Sequence, residues 1–385
     1  MKLRQRVLAE LSFLPWFLAA IVPLLLIPFR RRKSLKILIF PQSKIGDLIA
    51  QTPLFREIKR FRPQARITVV LTNPILEDLL RCDPHIDTII LWDAKAARRK
   101  KCKLILTLIK ENYSWSFNLA YQSWIDFITV YALVPHRAVF VPAYSEFILR
   151  FFYALSGTRR IRYPKGGFST SAYLGIVRSM GITSDATERF LYPCPEHETF
   201  ACDFIQKSDL RRGGILIGMA VSCGTKLKQM PIEKIAELTD LLIDTYKATV
   251  VFIGGAEDKG IVDAVHAKTK HKGIDCTGAF TLGQLAAFCK QLDCFISVDS
   301  GPLHIAHAVG TPVIDIAGPI DLSMHLTISA KAKAVYSQAP CAPCSSEGET
   351  PGPCKIGKRI CLEEMDVRGV TQALEELLPI IRSAR

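Results

Sequence analysis

The sequence predicts an α/β protein that contains two parallel sheets, each covered by helices. Short apolar runs, of which residues 37–40 are the first, alternate with amphipathic stretches along most of the chain. Such runs are typical of parallel strands buried on both faces, and the stretches between them are typical of βαβ crossovers. The chain has 385 residues, more than one core usually organises, so we expect two domains.

The first alternation occupies residues 36–205, which we assign to an N-terminal Rossmann-like domain. Its predicted strands are residues 37–40, 67–71, 88–91, 116–120 and 138–141. Two basic clusters, residues 98–103 and 159–165, interrupt the pattern. They fit a solvated helix face or loop, or a surface that contacts the phosphates of a membrane or of a lipid-linked acceptor.

The second alternation occupies residues 206–385, which we assign to a C-terminal Rossmann-like domain. Its predicted strands are residues 213–220, 249–253, 294–298, 312–316 and 334–337. Helical spacing over residues 367–381 closes the chain, and residues 193–212 are the expected linker region.

Residues 1–35 are predicted to be a hydrophobic membrane anchor with basic flanks. Residues 11–29 carry no charge and come close to the length that spans a hydrocarbon core of about 30 Å. Pro15, Pro23 and Pro28 also allow a re-entrant or interfacial segment. Because four basic residues rather than a small-residue cleavage site follow at residues 30–33, we expect the segment to be retained.

Composition limits the partners and the compartment. The formal net charge of +14 favours an anionic partner surface, either phospholipid or nucleic acid. The twelve cysteines are dispersed through a large chain, so we expect reduced thiols in a cytosolic setting. A cysteine-rich loop at 341–361 fits either a structural metal site or a thiol-rich loop, and we assign no metal ligand there. Its cysteines are Cys341, Cys344, Cys354 and Cys361.

Asp47 is the first candidate functional residue. It follows the first predicted strand, where the next helix begins. Ligands of open α/β sheets bind beyond the carboxyl ends of the strands, so Asp47 lies where chemistry usually occurs. The alternative is a helix N-cap, since aspartate is a preferred residue there.

Three further motifs follow strands of the second alternation. The helix start after Asp299 offers free amides for a diphosphate, with His304 in its first turn. Lys228 lies in a loop of small residues after Ser222, and it fits a phosphate contact or a solvated lysine. The third motif is a Gly-Gly turn that precedes Glu257. No Gly-x-Gly-x-x-Gly or Walker A sequence is present, which argues against a nicotinamide enzyme or a nucleoside triphosphatase.

In order and spacing, these motifs resemble glycosyltransferase family 9, the bacterial lipopolysaccharide heptosyltransferases. The resemblance covers residues 36–385. It rests on Gly46-Asp47, Lys228 before Pro231, Gly254-Gly255 with Glu257, Asp299-Ser300-Gly301 with His304, and Gly318-Pro319-Ile320-Asp321. It implies a GT-B type fold, in which two Rossmann-like domains face each other across a cleft.

The resemblance also implies roles for single residues. Asp47 would be the catalytic base, and Lys228 would offset the charge of the departing diphosphate. The implied contacts of the nucleotide-sugar are Ser222, Glu257, Asp299, Ser300, Gly301 and His304. The chain departs from the family at Met230, Pro302 and Leu322, where tryptophan, leucine and proline are common. These departures concern the surroundings of the donor.

The expected activity is inverting, metal-independent transfer of heptose from ADP-heptose to a lipid A-linked lipopolysaccharide core. The resemblance implies no cofactor, because the nucleotide-sugar is a substrate. The expected partners are this donor, the lipid-linked acceptor and a membrane surface, at the cytoplasmic face of a Gram-negative inner membrane. The oligomeric state is left open.

Three alternatives are less well supported. One keeps the fold and uses another nucleotide-sugar, and another is a nucleotide-sugar binding protein without catalysis. Nucleic acid is not an expected partner, because the basic clusters lack the interleaved aromatic residues of nucleic-acid binders.

Overall fold

A computed structural model describes residues 21–27, 34–93, 98–120, 123–141, 157–162, 169–211, 214–326, 328–344 and 353–383. Within these ranges it contains two six-stranded sheets. All their strand pairs are parallel. The α/β class with two parallel sheets is therefore confirmed.

The first sheet has the order β3-β2-β1-β4-β5-β6. Its strands are β1 (Lys36–Phe40), β2 (Arg66–Leu71), β3 (Thr88–Leu91), β4 (Trp115–Asn118), β5 (His136–Val141) and β6 (Arg159–Arg162). Its helices are α2 (Ile45–Phe61), α3 (Glu77–Leu80), α4 (Arg98–Glu111), α5 (Ser123–Tyr131) and α6 (Ser169–Leu174). We call these elements the N-terminal half. The short helix α1 (Ile21–Leu26) precedes them.

The second sheet has the order β12-β11-β10-β7-β8-β9. Its strands are β7 (Leu216–Ala220), β8 (Thr249–Ile253), β9 (Ile274–Asp275), β10 (Cys294–Val298), β11 (Val313–Ala317) and β12 (Ala332–Tyr336). Its helices are α8 (Ile232–Tyr246), α9 (Lys259–His266), α10 (Leu282–Lys290), α11 (Gly301–Ala308), α12 (Ile360–Glu363) and α13 (Arg368–Ser383). We call these elements the C-terminal half.

The strands predicted from apolar runs form the interior of each sheet. Every residue of β10 is buried, and in β1 only Lys36 is partly exposed. A continuous cluster of buried apolar side chains joins the two halves and includes Phe55 of α2 and Phe295 of β10. The interior strands therefore read as uninterrupted apolar segments because both of their faces are covered.

The two basic clusters adopt different structures. Residues 98–103 form the first turns of α4. Residues 159–162 form the edge strand β6, whereas the sequence predicts a helix face or a loop there. Arg159 and Arg160 are exposed and Ile161 is partly buried. Charged residues are common on edge strands, because they hinder pairing with another chain.

The expected linker is mostly the helix α7 (Pro195–Lys207). Phe204 of α7 packs edge-on against Phe280 and Phe288, at centroid distances of 5.0 and 5.8 Å. Asp78 of α3 accepts a hydrogen bond from the backbone N–H of Gly283 in α10, at 2.7 Å. The segment after the first sheet is therefore packed against the second sheet. The predicted domain boundary at residue 205 lies inside α7 and stays a prediction.

The expectation of reduced thiols is wrong for one pair, because Cys82 and Cys194 form a disulfide. Their Cα atoms lie 5.4 Å apart although 112 positions separate them in the sequence. Cys82 follows α3 and Cys194 is the N-cap residue of α7, and packing of α3 and α7 around α10 brings them together. The other ten cysteines are free.

The predicted anchor over residues 1–35 lies largely outside the described residues, apart from 21–27, 34 and 35. Across the described ranges, every helix is too short or too polar to cross a bilayer. The anchor stays a prediction.

We expect the Cys82–Cys194 disulfide to stabilise the protein. Replacement of Cys82 by serine removes the cross-link and should lower Tm on the order of 5 °C, since a lost native disulfide typically costs about 2–5 kcal/mol. Cys202→Ser, at an exposed free cysteine of α7, is the matched control. Dithiothreitol should lower the wild-type Tm to the value of Cys82→Ser and leave that variant unchanged. An identical wild-type Tm with and without the reductant would contradict the expectation.

Candidate functional site

The candidate site lies where the first turns of α2 and α11 meet. The helix α2 follows β1, and α11 follows β10, so both turns lie beyond the carboxyl end of a central strand. A Cβ on Gly46 would lie 2.7 Å from Cδ2 of His304, and a Cβ on Gly301 would lie 3.1 Å from Cδ1 of Ile45. A side chain at Gly46 would therefore displace His304, and one at Gly301 would crowd Ile45. In parallel α/β sheets this edge is the usual place of a ligand site.

Asp299 is the centre of the site. It follows β10, and its side chain is only 14% exposed. Its Oδ1 accepts a hydrogen bond from Nε2 of His304 at 2.9 Å, and its Oδ2 accepts one from Nζ of Lys228 at 2.8 Å. Burial alone would raise the pKa of Asp299, but the hydrogen bond from His304 and the charge of Lys228 hold it well below its usual range. Asp299 is therefore a carboxylate at neutral pH.

Lys228 is held by two acceptors on one residue. Besides Oδ2, its Nζ donates to the backbone carbonyl of Asp299 at 3.0 Å. A small pocket beside this pair is lined by Val298, Ile316, Gly318, Pro319 and Ile320 as well as the pair itself. The ammonium group therefore lies beside the segment that follows β11.

Arg189 completes the charge network from the segment before α7. It is 4% exposed, and its Nε donates to Oγ1 of Thr170 at 3.0 Å. Its Nη1 lies 3.4 Å from Nδ1 of His304. Because a guanidinium only donates, Nδ1 is the acceptor, and the proton of a neutral imidazole lies on Nε2, facing Asp299. Arg189 thus sets the orientation of His304.

Asp47 interacts electrostatically with this network from the N-terminal half. Burial lowers the pKa of Arg189 to about 10, and the negative charges of Asp299 and Asp47 oppose that shift. Burial also lowers the pKa of His325, again against the charges of Asp299 and Asp47. Both carboxylates therefore lie close enough to Arg189 and His325 to interact with their charges.

The N-cap interpretation of Asp47 is wrong. Lys44 is the N-cap residue of α2, and it makes no side-chain capping hydrogen bond. Asp47 is the third helical residue and is partly exposed. Its carboxylate is close enough to the helix N-terminus to benefit from the dipole.

Ser222 and Glu257 belong to a neighbouring loop rather than to the Asp299 network. Oγ of Ser222 donates to Oδ2 of Asp258 at 2.6 Å, and the same oxygen accepts from the N–H of Gly255 at 2.8 Å. Asp258 therefore connects the loop after β7 to the loop after β8. Glu257 is exposed beside Gly255. The two residues stay predicted donor contacts.

Ser300 has a structural task. It is the N-cap residue of α11, and its Oγ accepts from the N–H of Leu303 at 3.4 Å and lies 2.9 Å from Oγ of Ser297. Its hydroxyl is therefore occupied within the protein. A phosphate contact from this residue would come from backbone groups at the helix start.

A second buried carboxylic acid lies beneath the site. Asp315 of β11 is fully buried, and neither of its side-chain oxygens has a hydrogen-bond partner within the described structure. Burial raises the pKa of Asp315 well above its usual range, and the nearby charge of Asp299 adds to the shift. Asp299 is therefore the paired carboxylate at this point of the second sheet, whereas Asp315 is buried without such partners in the described structure.

The carboxyl edge of the first sheet has its own buried polar cluster. Nδ2 of Asn118, the last residue of β4, donates to Oδ1 of Asp126 in α5 at 2.8 Å. Burial raises the pKa of Asp126 to about 7, although Asn118 and the charge of Arg137 lower it. Burial lowers the pKa of Arg137 to about 10, so this residue stays cationic.

The cysteine-rich loop is described except for residues 345–352. Burial raises the pKa of Cys361, and nearby Cys341, Cys344 and Cys354 raise it further. In the part of the chain that the structure covers, no group of three or more histidine, cysteine, aspartate or glutamate side chains is arranged to hold a metal ion. Our assignment of no metal ligand stays a prediction.

Comparison with known proteins identifies related sequences. The model of glycosyltransferase family 9 (heptosyltransferase) matches residues 176–354. The chain is 27% identical over 277 residues to the lipopolysaccharide core heptosyltransferase OpsX of Haemophilus influenzae, covering 71% of this chain and 76% of the relative. It is 27% identical over 299 residues to lipopolysaccharide heptosyltransferase 3 of Escherichia coli K12, covering 72% and 80%.

Two solved structures share the fold. A glycosyltransferase of family 9 from Veillonella parvula superposes with a TM-score of 0.73 at 23% identity, over 90% of this chain and 97% of that one. The E. coli ADP-heptose lipopolysaccharide heptosyltransferase II superposes with a TM-score of 0.70 at 20% identity, over 89% and 98%. The two-sheet arrangement is therefore the one found in heptosyltransferase structures.

Sequence reasoning missed Arg189 and His325. Arg189 follows a polar stretch, residues 183–188, and no motif in the sequence marks it. His325 follows Asp321 of a motif that the sequence did identify, but a single histidine after a turn carries no distinguishing pattern. Both residues become visible only when their burial and their charged neighbours are known.

We expect Asp126 to make stability depend on pH. Its pKa is about 7 in the folded state and 3.8 as its ordinary value, so the folded state binds more protons between these values. The free energy of unfolding should therefore fall as pH rises through this window. Asp126→Asn keeps the acceptor for Asn118 and removes the titration, so its stability relative to wild type should grow from pH about 4 to about 7 and then level off.

Urea unfolding across that range measures the difference between the two proteins. The control is Asp203→Asn, at an exposed aspartate of α7, which should show little pH dependence. A constant difference between Asp126→Asn and wild type would contradict the assignment.

Proposed function

Because the chain belongs to glycosyltransferase family 9, and is therefore a glycosyl-transferring enzyme, we propose that it moves heptose from ADP-heptose to a lipopolysaccharide core acceptor. The observation that carries this proposal is the placement of two carboxylates around one basic cluster. Asp299 pairs with Lys228 and His304 in the C-terminal half, and Asp47 approaches the same cluster from α2. Asp299 thus lies on the predicted donor side, and Asp47 is partly exposed in the facing half.

The donor diphosphate is proposed to bind between Lys228 and the first turn of α11. The helix offers amides and the positive end of its dipole, and Lys228 offers a positive charge. Both stabilise the negative charge that develops as ADP departs, so they act more strongly in the transition state than in the ground state. This supply of positive charge supports a reaction that does not depend on a metal ion.

Asp47 is proposed to act as the general base. Its carboxylate takes the proton of an acceptor hydroxyl while that oxygen attacks the anomeric carbon. The new C–O bond forms on the face opposite the breaking bond to the diphosphate, so the configuration inverts and ADP leaves with the electron pair. Placement of Asp47 on α2, across from the α11 end of the site, supports this division of roles.

The acceptor is proposed to be lipid-linked and reached at the cytoplasmic face of a bacterial inner membrane. The net charge of +14, the basic residues at the start of α4 and the exposed Arg159 and Arg160 of β6 favour an anionic surface. The uncharged residues 11–29 would serve as the membrane anchor. In this arrangement the enzyme stays beside an amphiphilic, phosphorylated acceptor.

A second candidate keeps the reaction and changes the donor. Met230 is buried in the loop that carries Lys228, and Leu322 is buried directly after Asp321. Pro302 lies in the first turn of α11. These are the positions at which the chain departs from the family, so they favour testing other nucleotide-sugars beside ADP-heptose.

We expect Asp47→Asn to lose transfer while still binding ADP. The amide cannot accept the proton of the acceptor, and removal of a general base typically costs about 10²–10⁴-fold in rate. Formation of the heptosylated core from ADP-heptose is measured by mass spectrometry, and ADP binding by calorimetry. Asp185→Asn, at an exposed aspartate between α6 and α7, is the control and should retain both. Transfer by Asp47→Asn at the wild-type rate would rule out the base assignment.

A further inference from the structure

The proposed reaction leaves the cysteine-rich end of the chain without a role. Its described part, residues 353–363, ends in the short helix α12. Cys361 and Leu362 of that helix are buried against the second sheet. We call residues 353–363 the C-terminal segment. Its packing places Arg359, the N-cap residue of α12, beside the loop that carries Lys228.

Arg359 holds this loop by two backbone carbonyl groups. Its Nη1 donates to the carbonyl oxygen of Lys226 at 2.8 Å and to that of Gln229 at 2.6 Å. These carbonyls lie on either side of Lys228 in the sequence. The guanidinium therefore fixes the backbone from which the Lys228 side chain reaches Asp299.

The loop that carries Lys228, residues 221–231, is anchored at its ends by buried Val221 and Met230, whereas its middle is a partly exposed turn. It has no helix or strand, and its backbone bonds within the turn run from Lys228 N–H to Thr225 O at 3.1 Å and from Gln229 N–H to Lys226 O at 3.3 Å. The side chain of Gln229 also donates to the carbonyl of Val221. Segments with few buried contacts open easily, so an external clamp changes how well such a loop is ordered.

The same C-terminal segment contacts the loop on the other side of Asp299. A Cβ on Gly318 would lie 2.7 Å from Cδ2 of Leu362, so the loop after β11 packs directly on α12. Gly318 and Lys228 line the same small pocket. The segment therefore contacts both loops that border Asp299.

We propose that Arg359 is a positioning residue that holds Lys228 in place for the donor diphosphate. Arg359 acts through the backbone of the loop, and Nζ of Lys228 remains the group that faces the phosphates. The planar guanidinium suits this task because it presents several donors in a fixed geometry, which an ammonium group does not. This inference rests on the proposed function, since it assigns Lys228 to the diphosphate.

The test is a double-mutant cycle between Arg359 and Lys228, read by calorimetric binding of ADP to the full-length chain. Arg359→Gln should weaken ADP binding about tenfold, in line with the loss of a hydrogen bond from a charged group. In a Lys228→Ala background the same change should weaken binding less than about twofold, because the group that Arg359 positions is gone. Arg359→Lys should give an intermediate loss, since lysine reproduces the positive charge without the planar set of hydrogen-bond donors.

The matched control is Lys358→Gln, which removes the neighbouring exposed cation and its 2.8 Å ion pair with Glu364. It should leave ADP binding unchanged. Equal losses from Arg359→Gln with and without Lys228 would overturn the proposal, because a purely structural or independent role gives additive effects. If Arg359→Gln does not fold, wild-type affinity of Arg359→Lys would overturn it.

These measurements distinguish failure of the positioning role of Arg359 from failure of the proposed function. Coupling between Arg359 and Lys228 in ADP binding, without heptose transfer, would support the positioning role and reject the donor sugar. ADP binding that Arg359→Gln leaves intact, together with heptose transfer, would reject only the positioning role. Absence of ADP binding by the wild-type chain would reject both.

Discussion

The buried carboxylate of Asp299 is the constraint on which the rest of the site depends. An ionised group removed from water costs several kcal/mol unless it is paired and hydrogen-bonded. Asp299 meets this requirement with Nζ of Lys228 on one oxygen and Nε2 of His304 on the other. Each partner then needs its own support, which the lysine loop and Arg189 supply. The basic cluster is therefore a consequence of keeping one negative charge at the end of β10.

The same requirement connects the two halves of the structure. Arg189 contacts Thr170 of α6 and His304 of α11, and the next residues continue the link. The N–H of Phe190 donates to Oγ1 of Thr52 in α2, and the N–H of Leu191 donates to the carbonyl of Ala308 in α11. This segment thus ties α2 to α11, and Asp47, in the first turn of α2, is held near the Asp299 network.

Sequence reasoning located the interior of the fold well and its periphery less well. Strands buried on both faces, such as β1 and β10, stand out as apolar runs. The strand β6 escaped notice because an edge strand can carry charges, and its Arg-Arg-Ile-Arg sequence resembles a basic loop. The Cys82–Cys194 pair depends on how α3 and α7 pack around α10, which no local pattern encodes. Motifs at strand ends identified Asp47, Lys228, Asp299 and His304, whereas Arg189 lies in an irregular segment and is defined only by its partners.

The central claim is that the Lys228–Asp299 site binds a nucleotide-sugar that contains ADP, and a thermal-shift panel tests it most directly. A ligand that binds only the folded state raises Tm, and the increase grows with the logarithm of its concentration above Kd. ADP-heptose and ADP should raise the Tm of the full-length chain, with a much smaller effect on Lys228→Ala, whereas UDP-, GDP- and CMP-sugars should not. A shift with another nucleotide-sugar and none with ADP-heptose would contradict the account.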